Sequence, residues 1–235
     1  MKVVFLNVWS GGKLADALAA FLRQQAPSTD IFCFQEAYDA FPVLAAEALG
    51  ADFTALPITK KIISMHTERF EQALFYKPGT VRLLDSAVVL GGATDTGGLG
   101  QYVHCEVGGR ELHLCNVHGL PLPGHKRDTP ERLAQSRGFL DFMAGKRGPR
   151  IIGGDFNLFP DTESIQLFSR AGYRDLVAEF QVPTTRNRLA WERFPDNPQK
   201  FADFVFIDPA LALQKFAVID NEISDHLPLL LEVDL

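Results

Sequence analysis

Short apolar runs of strand length recur along this chain, and each carries a polar residue at or near its end. Val3-Val4-Phe5-Leu6 leads to Asn7, Ile31-Phe32-Cys33-Phe34 to Gln35-Glu36, and Leu112-His113-Leu114-Cys115-Asn116-Val117 to His118. Arg150-Ile151-Ile152-Gly153-Gly154 opens into Asp155-Phe156-Asn157, and Phe201-Ala202-Asp203-Phe204-Val205-Phe206 holds Asp203 within an otherwise apolar stretch. Ser224-Asp225-His226 stands beside the apolar C-terminal run. Such runs read as buried strands, where a carboxylate, amide or imidazole needs compensation. One such residue is ordinarily a hydrogen-bonded structural group. Six at strand ends point to a shared purpose, because open sheets of α/β proteins bind their ligands there.

Within the fourth run, Gly153 and Gly154 allow close approach of backbone and ligand. Asp155 and Asn157, two residues apart in extended chain, share a face. Read alone, Asp-Phe-Asn is also an ordinary strand-to-loop turn. Read with the other strand ends, its carboxylate and amide oxygens suit magnesium, and the amide nitrogen can donate to a phosphoryl oxygen.

Between the strands lie helical scaffolds. Leu14, Ala17, Leu18, Phe21 and Leu22 follow the helical spacing, as do Phe41, Leu44, Ala45, Ala48 and Leu49. Thr129-Pro130-Glu131 is a helix start with a capping hydroxyl and proline at the first position, continuing to Gly145. Pro160 to Glu163 opens another helix that ends near Gly172. Gly108-Gly109 reads as a tight hairpin turn. The glycines around Thr94-Asp95-Thr96 lack the lysine of a phosphate-cradling loop. Strands with interleaved helices suggest two mixed sheets packed face to face, with helices outside, in one domain spanning 1–235.

Composition narrows the class further. The net charge of −6 lacks the basic surplus of a general DNA binder. Basic residues do cluster locally, at Lys60-Lys61, Lys126-Arg127 and Arg186 to Arg188, in segments expected to be loops near the strand ends. No stretch approaches the roughly twenty apolar residues of a membrane span. Cys33, Cys105 and Cys115 fall in apolar runs and read as small buried hydrophobes without a disulfide framework, which makes the cytoplasm the default compartment.

The ordered set Asn7, Gln35-Glu36, Asn116-Val117-His118, Gly154-Asp155-Phe156-Asn157, Asp203-Phe204-Val205-Phe206 and Ser224-Asp225-His226 resembles the signature of the endonuclease/exonuclease/phosphatase superfamily. The run from Lys126 to Gln135 is similar to a compact bacterial branch of it. The segment Ile62 to Tyr76 departs from the family's usual Gly-x-Ala-Ile-Leu-Ser-Arg pattern, and the aromatic wedge and basic insertion loops of duplex-cleaving members are not evident.

The resemblance implies a four-layer α/β/β/α sandwich of the deoxyribonuclease-I type and a divalent-metal-dependent phosphoester hydrolase. It implies Glu36 as the main magnesium ligand, helped by Asn7 and by Asp225 through water. Manganese fits the same oxygens. Asp155 and Asn157 would position the attacking water, His226 would be oriented by Asp203, and His118 would stabilise the charged phosphoryl group. Which of His226 and Asp155 takes the water's proton stays open. Arg186, after Thr184-Thr185, is expected to touch a phosphate or support its loop. His125, close to His118 in sequence, could reach substrate, whereas His66, His104 and His113 are weaker candidates, the last two as surface or cross-strand residues. The partner is a phosphoester, with nucleic acid placed first and a small phosphorylated metabolite or lipid head group second. A non-catalytic binding role ranks last because no site residue is missing. No obligate protein partner is evident.

Overall fold

A computed structural model of the protein describes residues 1–62, 67–91, 97–193 and 195–235. The first sheet contains β1 (Lys2–Asn7), β2 (Ile31–Gln35), β3 (Thr54–Ile62), β4 (Thr67–Tyr76), β11 (Ala212–Val218) and β12 (Leu229–Asp234), in the order β11-β12-β1-β2-β4-β3. The second contains β5 (Val81–Val89), β6 (Leu99–Val107), β7 (Arg110–His118), β8 (Arg150–Asp155), β9 (Arg174–Asp175) and β10 (Asp203–Ile207), in the order β5-β6-β7-β8-β10-β9. Both sheets are mixed: β1 runs parallel to β2, and β7 parallel to β8, while the remaining pairs are antiparallel. This is the two-sheet α/β sandwich expected from the sequence.

The apolar runs form strands because each is covered on both faces. Val3, Phe5, Ile31 and Cys33 face the second sheet across a core shared with Leu114, Ile151, Val205 and Ile207. The alternate residues Val4, Leu6, Phe32 and Phe34 face outward onto the helices Ala15–Gln25 and Phe41–Leu49, packing on Leu18, Leu22, Phe41 and Ala45. Beyond the second sheet, the helices Pro130–Ala144 and Glu163–Arg170 contribute Phe139, Met143, Ile165 and Phe168. Thr129 caps the first of these, its hydroxyl accepting from the Arg132 N–H at 3.2 Å.

Strand register brings the polar ends together. Asn7 pairs with Gln35 and His118 with Asp155 in the parallel pairs, while Asp203 pairs with Asp155 in the antiparallel one. Glycine is required on β8 both between the sheets, where a Cβ on Gly153 would lie 2.8 Å from the Phe5 ring, and within the second sheet. A Cβ on Gly154, whose φ is +130°, would lie 2.2 Å from the Val117 carbonyl oxygen. Polar groups tie the two sheets at this end: Gln35 Nε2 donates to Asn116 Oδ1 at 2.5 Å, and Gln72 Nε2 to the Asn116 carbonyl at 2.8 Å.

Several local expectations change. Asp203 is the first residue of β10 rather than an interior one, because β10 runs antiparallel to β8 and begins at the polar end. Thr67–Tyr76, within the segment that departs from the family pattern, is a central strand. Lys60 and Lys61 lie in β3, not in a loop. The Gly108-Gly109 turn joins β6 to β7 with φ of 59° and 81°, as a two-residue hairpin requires. All three cysteines are buried and free. His66 and the residues Thr94, Asp95 and Thr96 lie outside the described residues. Among the described residues, no helix is long and apolar enough to cross a membrane.

Candidate active site

Asp155 stands at the centre of the polar end. Its Oδ2 accepts from Asn7 Nδ2 at 2.9 Å, and its Oδ1 from the Asn157 N–H at 2.8 Å. His226 Nε2 lies 3.8 Å from Oδ2, and His118 Nε2 lies 4.0 Å from it on another side. Burial would push this carboxyl up, but His226, Lys126, His118 and the Asn7 bond outweigh burial and hold it down at about 2. It is therefore an anion at neutral pH, able only to accept.

His226 is fixed from behind. Its Nδ1 lies 2.9 Å from both carboxylate oxygens of Asp203. Burial lowers the affinity of this imidazole for a proton, yet Asp203 and Asp155 together raise its pKa above the ordinary value. The residue is placed by backbone as well: its N–H donates to Ser224 Oγ at 3.2 Å, and that hydroxyl donates to the Asn7 carbonyl at 2.7 Å. The end of β1 and the start of the C-terminal run are thereby joined.

His118 has a different partner. Its Nδ1 lies 2.8 Å from Glu71 Oε1, both side chains being buried. Burial would pull this imidazole down, but Glu71, then Asp155 and Glu36, push it up to about 9. A raised folded-state value means that the stabilisation from this pair is full below the ordinary value near 6.5 and fades as pH rises through about 9. Proton NMR of the imidazole should therefore show His118 titrating near 9, with Glu71→Gln lowering the midpoint by at least about one unit. A midpoint unmoved by that substitution would contradict the assignment.

Asp155 and His226 open onto a cleft of about 230 Å³ whose walls also include Trp9, Glu36, Lys126, Arg186, Arg193 and Asp225. Trp9 and Ser10 adopt left-handed backbone, φ 55° and 51°, ahead of Gly11 and Gly12. For non-glycine residues that costs roughly 1–2 kcal/mol each. The strained turn aims N–H groups at the site: Ser10 N donates to Glu36 Oε2 at 2.6 Å and Trp9 N to Asn7 Oδ1 at 2.9 Å. Glu36 is itself left-handed, φ 53°.

The donor set fits a hard divalent cation. Asp225 Oδ2 is taken by Arg186 at 2.5 Å and Arg193 at 3.2 Å, while its buried Oδ1 has no hydrogen-bond partner. Together with the half-buried Glu36 carboxylate, this gives the cleft two acidic oxygen sources suited to magnesium. Asn7 is wholly buried, and its Nδ2 also donates to Glu36 Oε1 at 3.2 Å, so it links Glu36 to Asp155. Ligand atoms of Asp155, Asp203 and His226 also lie within 4.8 Å of one another. In that trio Asp203 holds His226 Nδ1 at 2.9 Å, which leaves Nε2 facing Asp155.

Not every candidate from the sequence reaches the centre. Asn157 lines the cleft, but Arg186 is spent largely on Asp225. His125 is exposed, its Nδ1 accepting from the Arg127 N–H at 2.9 Å, and it is Lys126 beside it that lines the cleft. His104 and His113 form a cross-strand pair with rings 4.4 Å apart, remote in sequence register from the polar end. Glu71 and Gln72 were not foreseen. Their signal was a polar pair preceding the apolar run Ala73 to Tyr76, reversed because β4 runs antiparallel to β2.

The same architecture occurs in proteins of distant sequence. The structure matches a mannosyl-6-phosphatase from Bacteroides thetaiotaomicron at 17% identity and a TM-score of 0.77, covering 100% of both chains. It matches an endonuclease/exonuclease/phosphatase from Bacteroides vulgatus at 15% identity and 0.79, covering 100% of this chain and 98% of the other. The human Nocturnin catalytic domain matches at 18% and 0.72, with 100% and 93% covered. No curated protein sequence matches significantly. The family model for the Endonuclease/Exonuclease/phosphatase family matches residues 4–226, and the chain belongs to that family, whose members are phosphoester hydrolases.

Proposed function

We propose that the protein is a divalent-metal-dependent hydrolase of a small phosphoester. The observation that carries this reading is the cleft itself, where an anionic Asp155 lies within 4.0 Å of the His226 and His118 imidazoles and lines the same cleft as the acidic oxygens of Glu36 and Asp225. Asp155 and the Asn157 amide would hold the attacking water, and Asp155, an anion with its pKa held at about 2, would accept its proton. His226 and His118 would donate to phosphoryl oxygens as negative charge develops, each contributing on the order of 3 kcal/mol. Glu71 would keep the His118 imidazole charged, and Asp203 would hold and aim that of His226. A magnesium ion held by Glu36 and Asp225 would supply Lewis-acid polarisation of the phosphoryl group.

Electrostatics move the small phosphoester ahead of nucleic acid, the reverse of the sequence-based order. Three arginines that could grip a polyanion are engaged with acids: Arg127 with Asp161 at 2.6 Å, Arg188 with Glu222 at 2.5 Å, and Arg186 with Asp225 at 2.5 Å. With a net charge of −6, the chain also lacks the basic surplus that favours a phosphate backbone. A mannosyl-6-phosphatase is among the structural neighbours, which favours sugar phosphates as the first small esters to try. The test is a panel of sugar and nucleotide phosphates and bis-(p-nitrophenyl) phosphate, run beside supercoiled plasmid with magnesium present. Turnover of a small ester with the plasmid intact is expected. Efficient plasmid nicking that disappears in His226→Ala would reverse the substrate order.

A further inference from the structure

The loop between β7 and the helix Pro130–Ala144 is held by an unusual number of side chains. Arg132, 1% exposed, donates to the Leu120 carbonyl from Nε at 3.2 Å and Nη2 at 3.0 Å, to the Arg127 carbonyl at 2.7 Å and to the Pro123 carbonyl at 2.7 Å. Gln199 Nε2 donates to the Gly124 carbonyl at 2.8 Å, and Gln135 Oε1 accepts from the Leu120 N–H at 3.2 Å. Asp128 anchors the far end by accepting from the N–H groups of Glu163 at 2.7 Å and Ser164 at 3.0 Å.

What this clamped loop carries into the cleft is Lys126. Its backbone is left-handed, φ 53°, and the residue is 4% exposed. One ammonium proton goes to Asn157 Oδ1 at 2.6 Å. An ammonium has three donors. Among the described residues no carboxylate forms an ion pair with Lys126, although Arg127, Arg186 and Arg193 on the same cleft or its rim each have one. A cation this deeply buried without a paired carboxylate is costly, and a fold that strains its own backbone to place it there has made room for an anion.

We propose that Lys126 is a catalytic residue, its ammonium binding a non-bridging oxygen of the substrate phosphoryl group. Its bond to Asn157 Oδ1 at the same time turns the Asn157 amide nitrogen toward Asp155 Oδ2, 3.4 Å away. This assignment rests on the phosphoester-hydrolase reading. Burial, opposed by the Asp155 charge, lowers the lysine to about 8, so it remains mostly protonated at neutral pH.

Lys126→Met and Lys126→Gln separate a phosphate contact from a purely structural one. Glutamine can still donate to Asn157 but carries no charge. For both variants we expect kcat/KM to fall at least about 100-fold on the best substrate of the panel. Calorimetry with inorganic phosphate and magnesium should show binding weakened about tenfold or more, with thermal midpoints confirming that both variants are folded. Restoration of activity and phosphate binding by glutamine would reduce Lys126 to a prop for Asn157 and overturn the proposal. Unchanged kcat/KM in both variants beside an active wild type would overturn it as well. A wild type that cleaves no ester and binds no phosphate would overturn the functional reading and this assignment together.

Discussion

Asp155→Asn lowers kcat at least about 1000-fold on any phosphoester the enzyme turns over, while circular dichroism shows a folded protein. The substitution preserves size and changes charge, at a position where charge governs everything nearby. Asp155 accepts from the side chain of Asn7 and the backbone of Asn157, and faces His226 and His118. A carboxamide has one accepting oxygen, so it cannot serve all of these partners, and it is not an acceptor for the proton of an attacking water. The cost to stability is smaller. A carboxyl lowered from 3.8 to about 2 contributes stability that is present above 3.8 and lost as pH falls through about 2. At neutral pH its removal costs roughly 2 kcal/mol, which thermal melting would register beside the kinetic loss. Near-normal kcat in a folded Asp155→Asn protein would place the chemistry elsewhere.

The second large effect belongs to His226→Ala, for which we expect a loss of similar size, about 1000-fold in kcat. Its special signature is non-additivity. On the proposed mechanism Asp203 acts through the imidazole it holds at 2.9 Å, so Asp203→Asn should reduce the rate in an otherwise native protein but add little to His226→Ala. Steady-state kinetics on the two single variants and the double variant make the cycle. If the two losses multiply instead, the pair does not work as a unit.

Most of this site was legible in the sequence because burial is expensive for polar groups. Asn7, His118 and Asp155 follow apolar runs, and in parallel strands the residues that follow such runs gather at one sheet edge. The pattern inverts where a strand runs the other way. Asp203 and Glu71 precede their apolar neighbours, so Asp203 read as an interior residue and Glu71 went unnoticed. Loops were the harder part. Lys126 and His125 adjoin, and nothing in local composition says which enters the cleft; that is decided by Arg132, Gln135 and Gln199 closing on the backbone from elsewhere in the chain. The basic run Arg186 to Arg188 read as free charge because its acidic partners, Asp225 and Glu222, lie more than thirty residues away.

The most direct measurement is the magnesium dependence of phosphoester hydrolysis by the wild-type protein, with His226→Ala and a chelator as parallel controls. Turnover that rises and saturates with magnesium, vanishes with chelator and is lost in His226→Ala is the predicted result. Hydrolysis that proceeds equally in chelator or in His226→Ala, or that is absent for every ester of the panel, would contradict the account.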